Sequence, residues 1–272
     1  MREKRMDRPF AYSNKEFEAV RQKIRQLTGI NLADSKDSMV YSRLSRRLRA
    51  LGHQSFQQYL AFLDTNKAET EHFINALTTN LTSFFREAHH FDALASFLET
   101  HPESLTIWCA ASSSGEEPYS IAMTCAEARG SLKHNITILA SDIDSKMLDR
   151  ATAGVYPLAQ VEKLSLARRK QFFHKGKAAN AGKARVIPEL RHAVRFFQQN
   201  LLHNHYKVQA GVDIIFCRNV MIYFDKPTQE VILKRMLALL KPNGWYIAGH
   251  SENFSHLAHL MRPMGKTIYQ VV

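Results

Sequence analysis

Four short, uninterrupted apolar runs, LTIWCAA (105–111), ITILAS (136–141), VDIIFC (212–217) and WYIAG (245–249), are separated by helix-compatible stretches. Strands that are apolar at nearly every position, not at alternate ones, need cover on both faces. Strands alternating with helices meet that need as a parallel sheet sandwiched between helices, the doubly wound α/β arrangement. KPNG (241–244) reads as the turn feeding WYIAG, and TIYQVV (267–272) as a closing strand. Residues 171–200 break the rhythm, with QFFHKG, RVIPEL and AVRFFQQN around a polar, glycine-containing loop. A small antiparallel β-subdomain insertion is the expectation there.

The region before residue 89 has a different period. Phe17, Val20, Ile24 and Leu27 recur at three and four residues, which places one apolar stripe on a helix that Gly29 ends. Val40, Leu44, Leu48 and Leu51 do the same over 37–51, and Gly52 is a natural stop. Phe56, Tyr59, Leu60 and Leu63, then Phe73, Ile74 and Leu77, predict two shorter helices. Residues 1–88 are therefore expected to form a small helical domain, and 89–272 the α/β domain.

Composition narrows the class. The chain has 272 residues, 45% hydrophobic and 23% charged, as in soluble globular proteins. No apolar run approaches the roughly 20 residues that span a bilayer, and MREKRMDRPF lacks the apolar core of a secretory signal. Cys109, Cys125 and Cys217 share no CxxC spacing, so neither a disulfide framework nor a zinc site is expected, and a reducing cytoplasm fits. The 13 histidines show no metal-ligand spacing, with His89-His90 the one adjacent pair, so no metal is expected. Net charge is +12, and residues 1–70 hold half of it, with 14 Lys/Arg against 8 Asp/Glu. That points to an anionic partner of unspecified kind.

Four segments carry the chemistry. In IWCAASSSGEEPYS (107–120) a strand ends in small residues, turns at Gly115 and enters a helix near Pro118. Small side chains at such a turn admit a ligand close to the backbone. A single glycine is not a dinucleotide fingerprint, and Glu116 and Glu117 suit a cation better than a phosphate. The second strand ends in Ser141-Asp142-Ile143-Asp144. A carboxylate there can accept from ribose hydroxyls or cap the next helix, and Asp142, directly after the apolar run, is given the ribose. Arg218, Asn219 and Tyr223 follow the VDIIFC strand, where open α/β sheets bind ligands. Asn80, Thr82 and Arg86 stand among Leu81, Phe84 and Phe85 in TNLTSFFRE (79–87) and by composition alone stay unassigned.

Together NLTSFFRE, SSGEEPYSIAM, ASDID, FCRNVMIYFDKPTQ and LLKPNGWYIAGHSENF resemble, in order and over nearly the whole chain, the chemotaxis receptor methyltransferases of the CheR type. The resemblance implies a helical domain joined to a Rossmann-like class I methyltransferase domain with a small β-subdomain. It implies S-adenosylmethionine as methyl donor, S-adenosylhomocysteine as product, and glutamate methyl esters on chemoreceptors, the chemistry of chemotactic adaptation. Asn80, Thr82 and Arg86 would face cofactor and acceptor, Glu117 the methionine ammonium, Asp142 the ribose, and Asn200-Leu201 the adenine region. Arg218-Asn219 would lie along the cofactor, with Tyr223 near the transferred methyl. Arg86 and Tyr223 are thus the candidate catalytic pair, Arg86 orienting the acceptor carboxylate.

Arg43, Arg46 and Arg47 fall at i, i+3 and i+4 on the helix over 37–51, with Arg49 at the edge. The resemblance makes this basic face the expected dock for the cytoplasmic methylation helices of a receptor. In some members the β-subdomain also captures a receptor C-terminal peptide, which the residues here leave open. A monomer is expected. A nucleic-acid methyltransferase would carry an Asn/Asp-Pro-Pro-aromatic motif where this chain has Arg218-Asn219-Val220-Met221, and no RNA-binding signature is present. A non-catalytic binding module is disfavoured by the joint presence of Arg86, Asp142, Asn219 and Tyr223.

Overall fold

The computed structural model describes residues 9–254, 257 and 259–271; the charged N-terminal octet and Val272 lie outside the described residues. Contacts divide the chain into two compact units: everything to Thr79 together with Tyr223–Asp225, and Asn80–Ile222 together with Lys226–Val272. The break falls nine residues before the boundary expected from sequence, because the TNLTSFFRE segment packs with the α/β unit.

The first unit is helical. Helices α1 (Asn14–Thr28), α2 (Asp37–Leu51), α3 (Phe56–Thr65) and α4 (Lys67–Leu77) follow the predicted apolar stripes. Ser13 caps α1, its hydroxyl accepting from Lys15 N, while the Glu16 carboxylate accepts from Ser13 N at 2.8 Å in a reciprocal capping box. Gly29 and Gly52 end α1 and α2 with φ of 76° and 73°, the left-handed geometry that glycine takes without strain. Phe17, Val20, Ile24, Val40, Leu44, Leu48, Tyr59 and Phe73 are all buried in one core.

The arginines of α2 do not share one free face. At about 100° per residue, Arg43 and Arg47 lie about 40° apart on the flank that bonds α4, with Arg46 about 60° and Arg49 about 120° round from Arg43 in the other direction. Arg43 Nη1 donates to the carbonyls of Ala76 and Thr78 at 3.0 and 2.7 Å, satisfying the end of α4. Arg47 Nε donates to Glu69 Oε1 at 2.9 Å, and its Nη2 pairs with Oε2. The Tyr59 hydroxyl donates to the same Glu69 at 2.8 Å. Glu69 is 4% exposed. Burial raises its pKa, but Arg47 and Tyr59 outweigh that and hold it below the ordinary value. Arg46 and Arg49 are exposed. The docking face expected from sequence is thus reduced to those two, since Arg43 and Arg47 serve the helical core.

In the second unit, α5 (His89–Thr100) precedes β1 (Leu105–Cys109), α6 (Glu116–Arg129), β2 (Ile136–Asp142) and α7 (Ser145–Ala153). A small sheet follows, with β3 (Val155–Pro157), short helices α8 (Leu158–Val161) and α9 (Leu166–Phe172), β4 (Phe173–Lys175) and β5 (Lys183–Val186). Then come α10 (Pro188–Ala193), β6 (Val194–Gln198), β7 (Val212–Cys217), α11 (Lys226–Leu237), β8 (Leu240–Ala248), β9 (Met261–Gly265) and β10 (Ile268–Val271). The main sheet has the order β6-β2-β1-β7-β8-β10-β9. Its first five strands are parallel and the last two antiparallel. Trp108, Ile138, Ile214, Phe216 and Ile247 are fully buried, as two-sided cover requires.

The insertion is corrected in extent. The small antiparallel sheet, ordered β3-β5-β4, runs from Val155 to Val186. Val194–Gln198, expected within it, instead pairs parallel with β2 as the edge of the main sheet. An edge strand is half-buried, so its pattern mimics a hairpin strand.

Arg47→Ala should strand the buried Glu69 carboxylate and lower stability by about 2 kcal/mol. Arg46→Ala should change it by less than about 0.5 kcal/mol. Urea unfolding of the two variants checks both values.

Candidate active site

Strands β1, β2 and β7 end side by side, and the turns beyond them hold the polar residues. The β1 turn is pinned to the end of β2, for Ser113 N donates to Asp142 Oδ2 at 2.7 Å. Asp144 N donates to the other Asp142 oxygen at 2.9 Å. Asp144 itself caps α7, accepting from Lys146 N and Met147 N, and also receives Asn80 Nδ2 at 2.8 Å. The two aspartates therefore divide the work: Asp144 caps, and Asp142 points its carboxylate at the turn. Burial pushes the Asp142 carboxyl up to about 6, with the Asp144 and Ser113 amides pulling the other way. Each of its oxygens has accepted one N–H and keeps a lone pair.

At Gly115 φ is 99°, and a Cβ there would meet the Tyr156 hydroxyl at 2.8 Å and Ala151 Cβ at 2.9 Å. The glycine therefore lets its turn pack closely against α7 and β3.

The most constrained group is Arg218, fully buried just past β7. Its Nη1 donates to Glu117 Oε2 at 2.5 Å and its Nη2 to the Arg86 carbonyl at 2.5 Å. Glu87 Oε2 lies 3.2 Å from the same Nη2. Burial opposes the arginine's charge, but the carboxylates of Glu117 and Glu87 outweigh it and raise its pKa. Glu87 is desolvated too, yet Arg218 and the amide of His250 bring its pKa below the ordinary value. Arg86 Nε lies 3.9 Å from Glu87 Oε1, so the two carboxylates face two guanidiniums and their charges balance. Glu117 also accepts from Cys109 Sγ at 3.3 Å, so both of its oxygens have partners in the fold.

Asn219 has φ 57° and donates from Nδ2 to Glu87 Oε1 at 3.3 Å. Glu252, 5% exposed, gathers the amides of Val220, Met221 and Gly249 at 2.9, 2.7 and 2.6 Å and so fixes the loop after β7. Asn200 and Leu201 follow β6 beside the end of β2, with Gln199 N donating to the Asp142 carbonyl at 2.9 Å. Leu201 is buried, and the Asn200 side chain accepts from Leu202 N at 2.9 Å. Thr82 and Arg86 line a groove of the α/β unit, where Arg86 Nη1 donates to the Leu81 carbonyl at 3.0 Å. Tyr223 is grouped with the helical unit, its carbonyl accepting from Asn31 N at 2.7 Å.

Glu87, His90 and Glu252 were not singled out from sequence. The available signal was charge: an arginine directly after a buried strand requires carboxylates from elsewhere. His90 Nε2 lies 2.8 Å from the Lys266 carbonyl, so it carries the proton, and Nδ1 sits 3.7 Å from Glu87. Burial, then the Arg218 charge, lowers its pKa to about 4 and keeps the ring neutral. Glu87, His89 and His90 bring ligand-type atoms within 4.8 Å of one another, an unforeseen grouping. The Arg218 guanidinium beside Glu87 opposes a cation there.

Residues 80–270 match the family described as CheR methyltransferase, SAM binding domain, and residues 15–78 match the CheR methyltransferase all-alpha domain. The chain is 54% identical over 264 residues to chemotaxis protein methyltransferase 2 of Pseudomonas aeruginosa, covering 96% of this chain and 94% of that protein. It is 49% identical to the chemotaxis protein methyltransferase of Salmonella typhimurium, covering 97% and 92%. Against the Escherichia coli protein of the same name the identity is 47%, covering 97% and 93%.

Gly115→Ala should cost about 2–3 kcal/mol, from overpacking against Tyr156 and Ala151 and from the positive φ. Gly130→Ala, where a Cβ meets nothing within 4 Å, should cost only about 1 kcal/mol. Denaturant midpoints of the two variants give the comparison.

Proposed function

Because the chain belongs to the CheR methyltransferase family, an S-adenosylmethionine-dependent enzyme family, we propose that it converts glutamate side chains of bacterial chemoreceptors into methyl esters. The observation that carries this reading is the Asp142 carboxylate at the end of β2, held by two backbone amides and left with acceptor capacity for hydroxyls. Glu117 and Glu87, both tied to Arg218, add carboxylates at the ends of the neighbouring strands. Such a donor set fits a ligand that is cationic at sulfur and ammonium and carries ribose hydroxyls. When bound, S-adenosylmethionine supplies a methyl group on a cationic sulfur.

The residues then take roles by chemistry. Asp142 receives the ribose hydroxyls. Asn200 and Leu201 border the adenine region. Glu117 contributes charge toward the ammonium while holding Arg218, and Arg218 with Asn219 forms the wall of the site. Asn80 ties its segment to Asp144, and Thr82 and Arg86 present that segment to the acceptor. Tyr223 is assigned to the methyl on the family motif alone.

A glutamate acceptor has an ordinary pKa of about 4.3 and is ionised at neutral pH, so no general base is required. Rate enhancement then rests on positioning. Arg86 is proposed to orient the acceptor carboxylate, with its own carbonyl fixed by Arg218. Among the described residues no helix is long and apolar enough to cross a membrane, and a cytoplasmic monomer acting on receptor methylation helices is the proposed arrangement. Arg46 and Arg49 remain as the free basic residues of α2 for that contact.

The deciding experiment supplies methyl-labelled S-adenosylmethionine, receptor cytoplasmic fragments and bulk RNA. Base-labile label on receptor, released as methanol, is expected; stable label on RNA would overturn the reading. Arg86→Ala should lower kcat by about 100-fold, and near-normal turnover with cofactor still bound would refute its role.

Asp142 carries a pH prediction. Its carboxylate must be ionised to accept two further hydroxyls, and its pKa near 6 makes protonation accessible. Cofactor affinity should therefore be full at pH 7.5 and weaken as pH falls through about 6 and below. Asp142→Asn should bind weakly at every pH and lose that dependence in calorimetric titrations.

A further inference from the structure

The groove lined by Thr82 and Arg86 has a volume of about 740 Å³ and runs between the 81–86 segment and the α8–α9 arm of the small sheet. That size is within the roughly 300–1,000 Å³ of pockets that hold sizeable ligands. Its lining includes Leu81, Thr82, Arg86, Gln160, Lys163 and Arg168, and no carboxylate lines it.

The three cations differ in what they have left to offer. Arg168 is committed: its Nε and Nη2 each donate to Glu127 at 2.8 Å, and its guanidinium stacks 3.8 Å over Phe85. Arg86 has one carboxylate nearby, Glu87 at 3.9 Å, which already belongs to Arg218. Lys163 is exposed and forms no ion pair among the described residues. Lys163 thus faces the groove without compensation, and Arg86 with only that long contact to a shared carboxylate. At its edge Leu81 is 81% exposed and offers apolar area that a partner's apolar residue can cover.

We propose that this groove is the docking channel for the acidic, amphipathic segment of the protein substrate that flanks the acceptor carboxylate. The assignment rests on the glutamate-methylation reading. The acceptor carboxylate meets Arg86, an acidic neighbour on the same segment meets Lys163, and an apolar residue covers Leu81. A nucleic acid would also meet the cations, but it has no use for the exposed leucine. The groove would therefore select among glutamates by their neighbours, which Arg86 alone cannot do.

The test uses the full-length enzyme, labelled S-adenosylmethionine and a receptor cytoplasmic fragment. The double variant Q160E/K163E should raise KM for the fragment about tenfold with kcat within about twofold, and the Kd for S-adenosylmethionine should not change. K163A, a milder change at an exposed position, should raise KM about threefold. A fragment with an acidic flanking residue changed to Lys should recover much of the loss with Q160E/K163E. Unchanged KM in both variants, with active wild-type enzyme, would overturn the groove assignment alone. Absence of base-labile label from the wild-type reaction would overturn the glutamate reading and this one with it. Label on RNA that is lost in the variants would give the groove to nucleic acid and refute the proposal.

Discussion

A guanidinium cannot be buried without partners, since desolvation of one ion costs several kcal/mol even after relaxation. Arg218 is fully buried, so the chain must bring carboxylates and carbonyls to it. Glu117 comes from the first turn of α6, Glu87 and the Arg86 carbonyl from the segment before α5. One side chain thereby fixes two separate pieces of the α/β unit to the end of β7. The backbone at the contact is not relaxed: Phe85, Glu87 and Asn219 have φ of 52°, 56° and 57°. Such conformations cost on the order of 1 kcal/mol each, and the Arg218 network with Glu252 below it holds them in place.

The same network explains how the site is charged without being floppy. An acidic surface cluster would relax toward solvent and counter-ions. Here Glu87 and Glu117 are half-buried or buried and share Arg218, so each carboxylate stays where the fold puts it. Glu252 shows the alternative device, a carboxylate compensated by three backbone amides. Burial raises its pKa even so. A site whose walls are set in advance can gain rate from orientation, which a reaction with an already ionised nucleophile most needs.

How much of this was legible depended on sequence distance. Apolar runs and three-to-four spacings are local, so the main strands and the helices over 14–28 and 37–51 could be read directly. The β-subdomain was misplaced because Val194–Gln198, as an edge strand, carries the half-buried pattern of a hairpin. Asp144 was readable as a cap because its amides are two and three residues on. Glu87 was not readable as the partner of Arg218, since 131 positions separate them and nothing local marks the pair. Arg47 failed in the opposite direction: its helical face was correctly placed, but Glu69, 22 residues away, claims it. The packing role of Gly115 was equally hidden, because Tyr156, which a Cβ there would meet, lies 41 positions on.

The basic charge of the helical unit has a narrower meaning than its sum suggests. Arg21 pairs with Glu18 and Asp34, Lys23 with Asp64, Arg25 with Asp225, and Arg47 with Glu69. Most of these pairs are exposed and contribute little stability, but they neutralise much of the local field. Among the described residues, a partner approaching this unit therefore meets discrete cations outside ion pairs, Arg46 and Arg49 among them, and not a continuous basic sheet. Long nucleic acid gains from continuous tracks that release many counter-ions. Discrete cations instead match discrete carboxylates, as an acidic amphipathic helix presents them. The net charge of +12 then acts mainly by speeding encounter, and selection among carboxylates falls to shorter-range contacts near Arg86.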